Sequence, residues 1–152
     1  MKLLTLFSLA VALTGAAPLA ATAQADVPVY QTDFPPEEFQ GRWAGIYDAI
    51  GNGVAVVQGV GQTPGFIFPR QNNEFYYLSG VETPGSYIML DGRTRKATLF
   101  LPRRNARLEA AEGRVLSSDD ADLVKRLVGV DQVLPLEAMR EGWPPPAAAP
   151  RT

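Results

Sequence analysis

An Asp-Gly pair, Asp91-Gly92, separates two short apolar runs, residues 86–90 and 97–101, and restricts the fold more than any other feature of the chain. Asp-Gly readily takes the backbone conformation of a tight hairpin turn, so the two runs are predicted to pair antiparallel. Pro102 ends the second run, because it has no N–H to extend a ladder. Residues 54–57, three of them β-branched Val, predict a further short, buried strand. Phe75, Tyr76, Tyr77 and Leu78 follow a polar stretch and are stopped by Ser79-Gly80. Their brevity and aromatic content predict a strand buried on both faces, central in the sheet. Val133-Leu134 predicts a last short strand.

Helical signals alternate with these runs. Residues 37–50 carry Glu37 and Glu38 in a first turn, where acids suit the helix dipole. Phe39, Trp43, Ile46, Tyr47 and Ile50 then recur at steps of three and four, and Gly51-Asn52-Gly53 stops the helix. Residues 103–113 are charged and predicted to be helical in part, with Val115-Leu116 a candidate short strand. Residues 117–120 form a helix start, with Leu123, Leu127 and Val128 as the inner face and Gly129 as the cap. The alternation predicts an α/β fold: a single domain with a mixed β-sheet flanked by helices.

The two ends read differently. Residues 1–25 have a basic start at Lys2, an apolar stretch over 3–13 and an A-x-A site ending at Ala25, the pattern of a cleaved signal peptide. Cleavage after Ala25 predicts export to the periplasm or the exterior, with no stable membrane anchor. Residues 26–36 predict an extended linker, 37–141 the folded domain, and 142–152 a Pro/Ala-rich disordered tail.

Composition excludes several chemistries. The sequence has no His, which removes the commonest general base and the Ser-His-Asp and Cys-His arrangements. Cys is absent as well, so zinc sites are close to excluded and only carboxylate–oxygen sites stay open. The formal net charge of −2 argues against a nucleic-acid partner. Gly59-Val60-Gly61 hints at a dinucleotide loop, but Gly65 is mis-spaced and no helix follows. Asp119, Asp120 and Asp122 resemble a calcium loop, yet a helix N-terminus explains them. Arg93, Arg95, Lys96, Arg103, Arg104, Arg107 and Arg114 form either an anion- or partner-binding patch or, the simpler reading, a solvated face interspersed with Glu109 and Glu112. Arg70 is a candidate substrate or subunit contact, against a structural salt bridge to Glu74 or Glu82. Phe75, Tyr76 and Tyr77 form either a recognition surface or plain core.

Residues 70–80, Arg-Gln-Asn-Asn-Glu-Phe-Tyr-Tyr-Leu-Ser-Gly, resemble a signature of the N-terminal domain of the aminopeptidase P and prolidase (Xaa-Pro peptidase, creatinase-like) family. The amphipathic helix before a valine-rich strand, Leu99-Phe100-Leu101-Pro102 and the Gly-Val-Asp-x-Val-x-Pro-Leu run at 129–136 extend the likeness over roughly residues 37–139. Two departures are Glu74, where relatives usually carry Asp, and residues 109–114, which lack a Trp common in that element.

The resemblance implies a ribonuclease H-like α/β domain. In that family catalysis belongs to a separate pita-bread domain, where two Asp, one His and two Glu hold a metal pair, usually manganese. No pita-bread domain is expected in this sequence, so no cofactor is expected in this chain and it is expected to be inactive alone. The implied partners are further copies of itself or a metallopeptidase catalytic domain. Tyr76 corresponds to an aromatic that lines a neighbour's substrate channel. Similar folds also serve non-catalytic binding proteins such as histone chaperones, which makes a stand-alone peptide- or protein-binding module the alternative.

Overall fold

The computed structural model describes residues 30–62 and 70–142. The elements are α1 (Pro36–Ile50), β1 (Val54–Gln58), α2 (Asn73–Ser79), β2 (Tyr87–Asp91), β3 (Lys96–Leu101), α3 (Ala106–Glu112), α4 (Ala121–Val128), β4 (Gln132–Pro135) and α5 (Leu136–Gly142). The strands form one sheet in the order β1-β2-β3-β4. β1, β2 and β3 are antiparallel neighbours and β4 runs parallel to β3. The expected mixed α/β architecture is therefore present. The leader, residues 26–29, the candidate strand entry at 66–68, Gly65 and the tail from 143 lie outside the described residues.

The β2–β3 hairpin forms where Asp91-Gly92 predicts it, but not as a two-residue turn. Asp91 pairs with Lys96, leaving residues 92–95 as the loop. The Asp91 carboxylate accepts the backbone N–H groups of Arg93 (2.9 Å) and Thr94 (3.3 Å), an Asx turn that holds the loop. The left-handed residue is Arg95 (φ 53°), not Gly92. Gly92 answers a different need: a Cβ there would strike the Gly51 carbonyl at the end of α1.

The aromatic block is the main correction. Phe75, Tyr76, Tyr77 and Leu78 lie in the two-turn helix α2, and the sheet takes no strand from them. The backbone N–H of Tyr76 donates to the Asn72 carbonyl, and Gly80, left-handed at φ 62°, closes the helix by donating to Tyr76. Burial follows the helical repeat: Phe75, Leu78 and Ser79 are buried while Tyr77 is 56% exposed. Trp43 on α1 anchors the element by donating its indole N–H to the Leu78 carbonyl at 2.8 Å. A four-residue apolar run does not distinguish a buried strand from one turn of helix by periodicity.

Three smaller expectations also change. Among the described residues β1 is an edge strand rather than a buried one, with Val54 46% exposed. On α4 the inward residues are Val124 and Val128, with Leu123 and Leu127 only partly covered. Val115 makes an isolated bridge and no strand. One core cluster joins the stripe Phe39, Trp43 and Tyr47 of α1 to Phe75, the inward residues Ile88, Leu90, Leu99 and Leu101, and Val124 and Val128.

Candidate functional site

The residues singled out around α2 separate into two kinds. Tyr76 is half-buried, and its hydroxyl is pushed above the ordinary phenol range, first by burial and then by the carboxylates of Glu82 and Asp33. It is therefore a neutral hydrogen-bonding group at physiological pH, not a base. Arg70 is exposed, and no ion pair to Glu74 or Glu82 occurs among the described residues. The salt bridge predicted for it is absent there.

The surface beside Tyr76 is more structured than its sequence suggests. Arg42 lies with its guanidinium 4.2 Å from the Tyr77 ring centroid and 4.9 Å from that of Phe34. Glu38 accepts from its Nη2 at 3.0 Å and its Nε at 3.3 Å, and the Tyr77 carbonyl accepts from its Nη1. Such a stack holds a cation and two exposed rings rigid. Below it an open groove is lined by Arg42, Ile46, Asn73, Glu74, Tyr77 and Leu78. Sequence reasoning missed Arg42; the i,i+4 spacing from Glu38 was the available signal.

Gln71 was missed as well, and no local signal marks it. It is buried and ties three segments together. Its side-chain carbonyl accepts the backbone N–H groups of Val60 and Asn72, and its amide donates to the Thr83 carbonyl at 3.2 Å. Gly59 is required here, since a Cβ would sit 2.9 Å from the Gln71 carbonyl oxygen. Gly59 thus has a packing reason, and the next described element after β1, the helix α2, starts only at Asn73, too far downstream for a dinucleotide loop.

A second region surrounds α3, where a cavity of about 180 Å³ is lined by residues including Thr83, Pro84, Pro102, Leu108, Glu109 and Val115. Much of the basic stretch is ion-paired, in part around this cavity. Arg104 bonds Glu109 at 2.8 Å, Arg114 bonds Asp120 at 2.6 Å, Arg103 faces Glu137 at 3.8 Å and Arg95 bonds Asp48 at 2.8 Å. Pairing of this kind fits the solvated-face reading. Asp120 forms a reciprocal capping box with Ser117 at a helix start, while Asp119 accepts the Arg104 backbone N–H and ties that turn to the loop before α3.

At the far end of α1 the buried Tyr47 hydroxyl has no hydrogen-bond partner among the described residues. Burial, then the carboxylate of Asp131, push its pKa up to about 12, with Arg95 opposing. The folded value lies above the unfolded one of about 10, so native stability should fall as pH rises from 10 towards 12. Of the five tyrosines, one is expected to ionise last, near pH 12, in a phenolate absorbance titration, and Tyr47→Phe should remove that step. At neutral pH the same substitution should leave stability unchanged or slightly higher, because no hydrogen bond is lost.

The donor set for the implied metal pair does not fit this chain. His is absent from the sequence, and among the described residues no three His, Cys, Asp or Glu side chains group as metal ligands. No helix among them is long and apolar enough to cross a membrane.

Residues 42–147 match the family described as Aminopeptidase P, N-terminal domain. An uncharacterized peptidase of Saccharomyces cerevisiae is 42% identical over 65 residues, covering 43% of this chain and 12% of that protein. Xaa-Pro aminopeptidase 3 of Mus musculus is 35% identical over 81 residues, covering 49% of this chain and 15% of its own length. Among solved structures, a variant of Escherichia coli aminopeptidase P superposes with a TM-score of 0.59 at 24% identity, over 73% of this chain and 26% of that one. The matches thus span only a small part of each relative's length.

Proposed function

Since the chain belongs to the aminopeptidase P N-terminal domain family, we propose that it works as the accessory domain of an exported Xaa-Pro metalloaminopeptidase and has no catalytic activity of its own. The family match over residues 42–147 carries this reading. The absence of His supports the non-catalytic part, because the His ligand of the family's metal pair is missing. The domain would assemble with a peptidase catalytic domain, where Tyr76 would lean into a substrate channel as a neutral hydrogen-bonding ring. Manganese would be held by that catalytic domain. The leader over residues 1–25, cut after Ala25, would deliver the chain to the periplasm or the exterior.

The purified chain supplied with Mn²⁺ is expected to release no amino acid from Xaa-Pro peptides above background. Metal-dependent turnover, lost on chelation, would sink the non-catalytic reading. A binding module on the same fold is the second reading, favoured by the rigid Phe34–Arg42–Tyr77 stack over an open groove. Tight association with a partner that has no peptidase domain, weakened by Tyr77→Ala, would support it.

A further inference from the structure

Among the described residues β1 leaves one side of its ladder open. Gly53 and Gly59 bracket the strand, bonded to Gly92 and Ser86 respectively. In the β1–β2 register these are hydrogen-bonded pairs, and such pairs alternate along an antiparallel ladder. Ala55 and Val57 therefore turn their N–H and C=O towards β2, and Val54, Val56 and Gln58 turn theirs away from the sheet. The Asn72 side-chain amide donates to the Gln58 carbonyl at 3.2 Å. Among the described residues nothing bonds to the outward groups of Val54 and Val56.

Native sheets guard such an edge with charge, proline or a bulge. β1 has none of these: it reads Val-Ala-Val-Val-Gln, its register is continuous, and Val54 is 46% exposed. We propose that β1 pairs antiparallel with β1 of a second copy, joining two four-stranded sheets across a two-fold axis at Ala55.

The register follows from which groups are open. With Ala55 facing Ala55, each Val54 stands opposite Val56 of the other copy. Their outward N–H and C=O groups are then exchanged, and Gln58 stays with Asn72. The pair on the axis is a non-hydrogen-bonded one, where Cα atoms approach to roughly 4.5 Å. The smallest side chain of the strand occupies that point. Val54 and Val56 share the sheet face opposite Ala55 and Val57, so they pack across the junction as an apolar cross-strand pair. A two-fold contact is also the commonest closed arrangement for identical chains. The inference does not depend on the peptidase reading, and either can fail alone.

The test combines sedimentation equilibrium of the whole chain with amide hydrogen exchange across a concentration series. A dimer is expected, with the Val54 and Val56 amides slowing as concentration rises. Ala55 and Val57 amides, bonded to β2, should be slow at every concentration, and Gln58 should not change. Val56→Lys should raise the dimer dissociation constant by more than about tenfold while the Ala55 and Val57 amides stay protected. Val54→Pro, which removes one outward donor at the first position of an edge strand, should act in the same direction. A monomer at all concentrations overturns the proposal, as does a dimer indifferent to Val56→Lys. Protection of Val54 and Val56 that arises only when a peptidase catalytic domain is added assigns the edge to that domain instead, and also overturns it.

Discussion

Phe75→Ala is expected to lower the free energy of unfolding by about 3–5 kcal/mol, while Tyr77→Ala two residues later lowers it by less than about 1 kcal/mol. Phe75 is fully buried in the core cluster beneath α1 and α2, so its loss removes apolar contacts and leaves a cavity. Tyr77 is more than half exposed, and its ring contacts the Arg42 guanidinium from outside. The contrast discriminates between secondary structures. In a strand, positions 75 and 77 would share a face and cost similar amounts; in a helix they lie far apart around the axis. Urea unfolding of the two variants gives the answer directly. Comparable losses at both positions would contradict the helical placement of the block.

Gly92→Ala is the second large effect, expected to cost about 3 kcal/mol, the upper end for overpacking. The added Cβ would collide with the Gly51 carbonyl oxygen and approach the Ile50 side chain to 2.7 Å. The first obstacle is backbone, so no rotamer change relieves it. The Gly92 N–H also donates to the Gly53 carbonyl at 2.9 Å, a bond that any displacement of the hairpin weakens. The site joins the end of α1 to the β2–β3 loop, and the substitution should loosen both. Gly45→Ala is the control: it lies in the exposed middle of α1, a Cβ there meets nothing within 4 Å, and helix propensity should raise stability by up to about 1 kcal/mol. Thermal unfolding of the two variants should move in opposite directions. A neutral Gly92→Ala would show that the loop and α1 are not in register as described.

Much of the fold was legible because its signals are local. The stripe Phe39, Trp43, Ile46, Tyr47 and Ile50 gave α1, and the two runs around Asp91-Gly92 gave the hairpin, although the left-handed residue moved to Arg95. The aromatic block was misread for a reason of length: an apolar run of four satisfies either period. Asn72 and Gly80, which cap α2, fit equally well as turn residues bounding a strand. The candidate site was legible only in outline. Tyr76 and Arg70 were named from the signature. The Arg42–Tyr77 contact and the Val60–Gln71 bond join residues 35 and 11 positions apart; apart from the i,i+4 spacing of Glu38 and Arg42, no pattern along the chain points to them.

The amino-acid sequence by itself determined what chemistry is closed to this chain and which layers it builds. A residue type that is missing cannot act, and apolar periodicity is a property of neighbours. Tertiary structure alone decided that the aromatic block packs as a helix under Trp43, that the basic stretch pairs internally, and that β1 stands at an edge with Val54 and Val56 turned outward. Each of those outcomes is set by long-range packing and by which hydrogen-bonding groups find partners, quantities that exist only once distant segments meet.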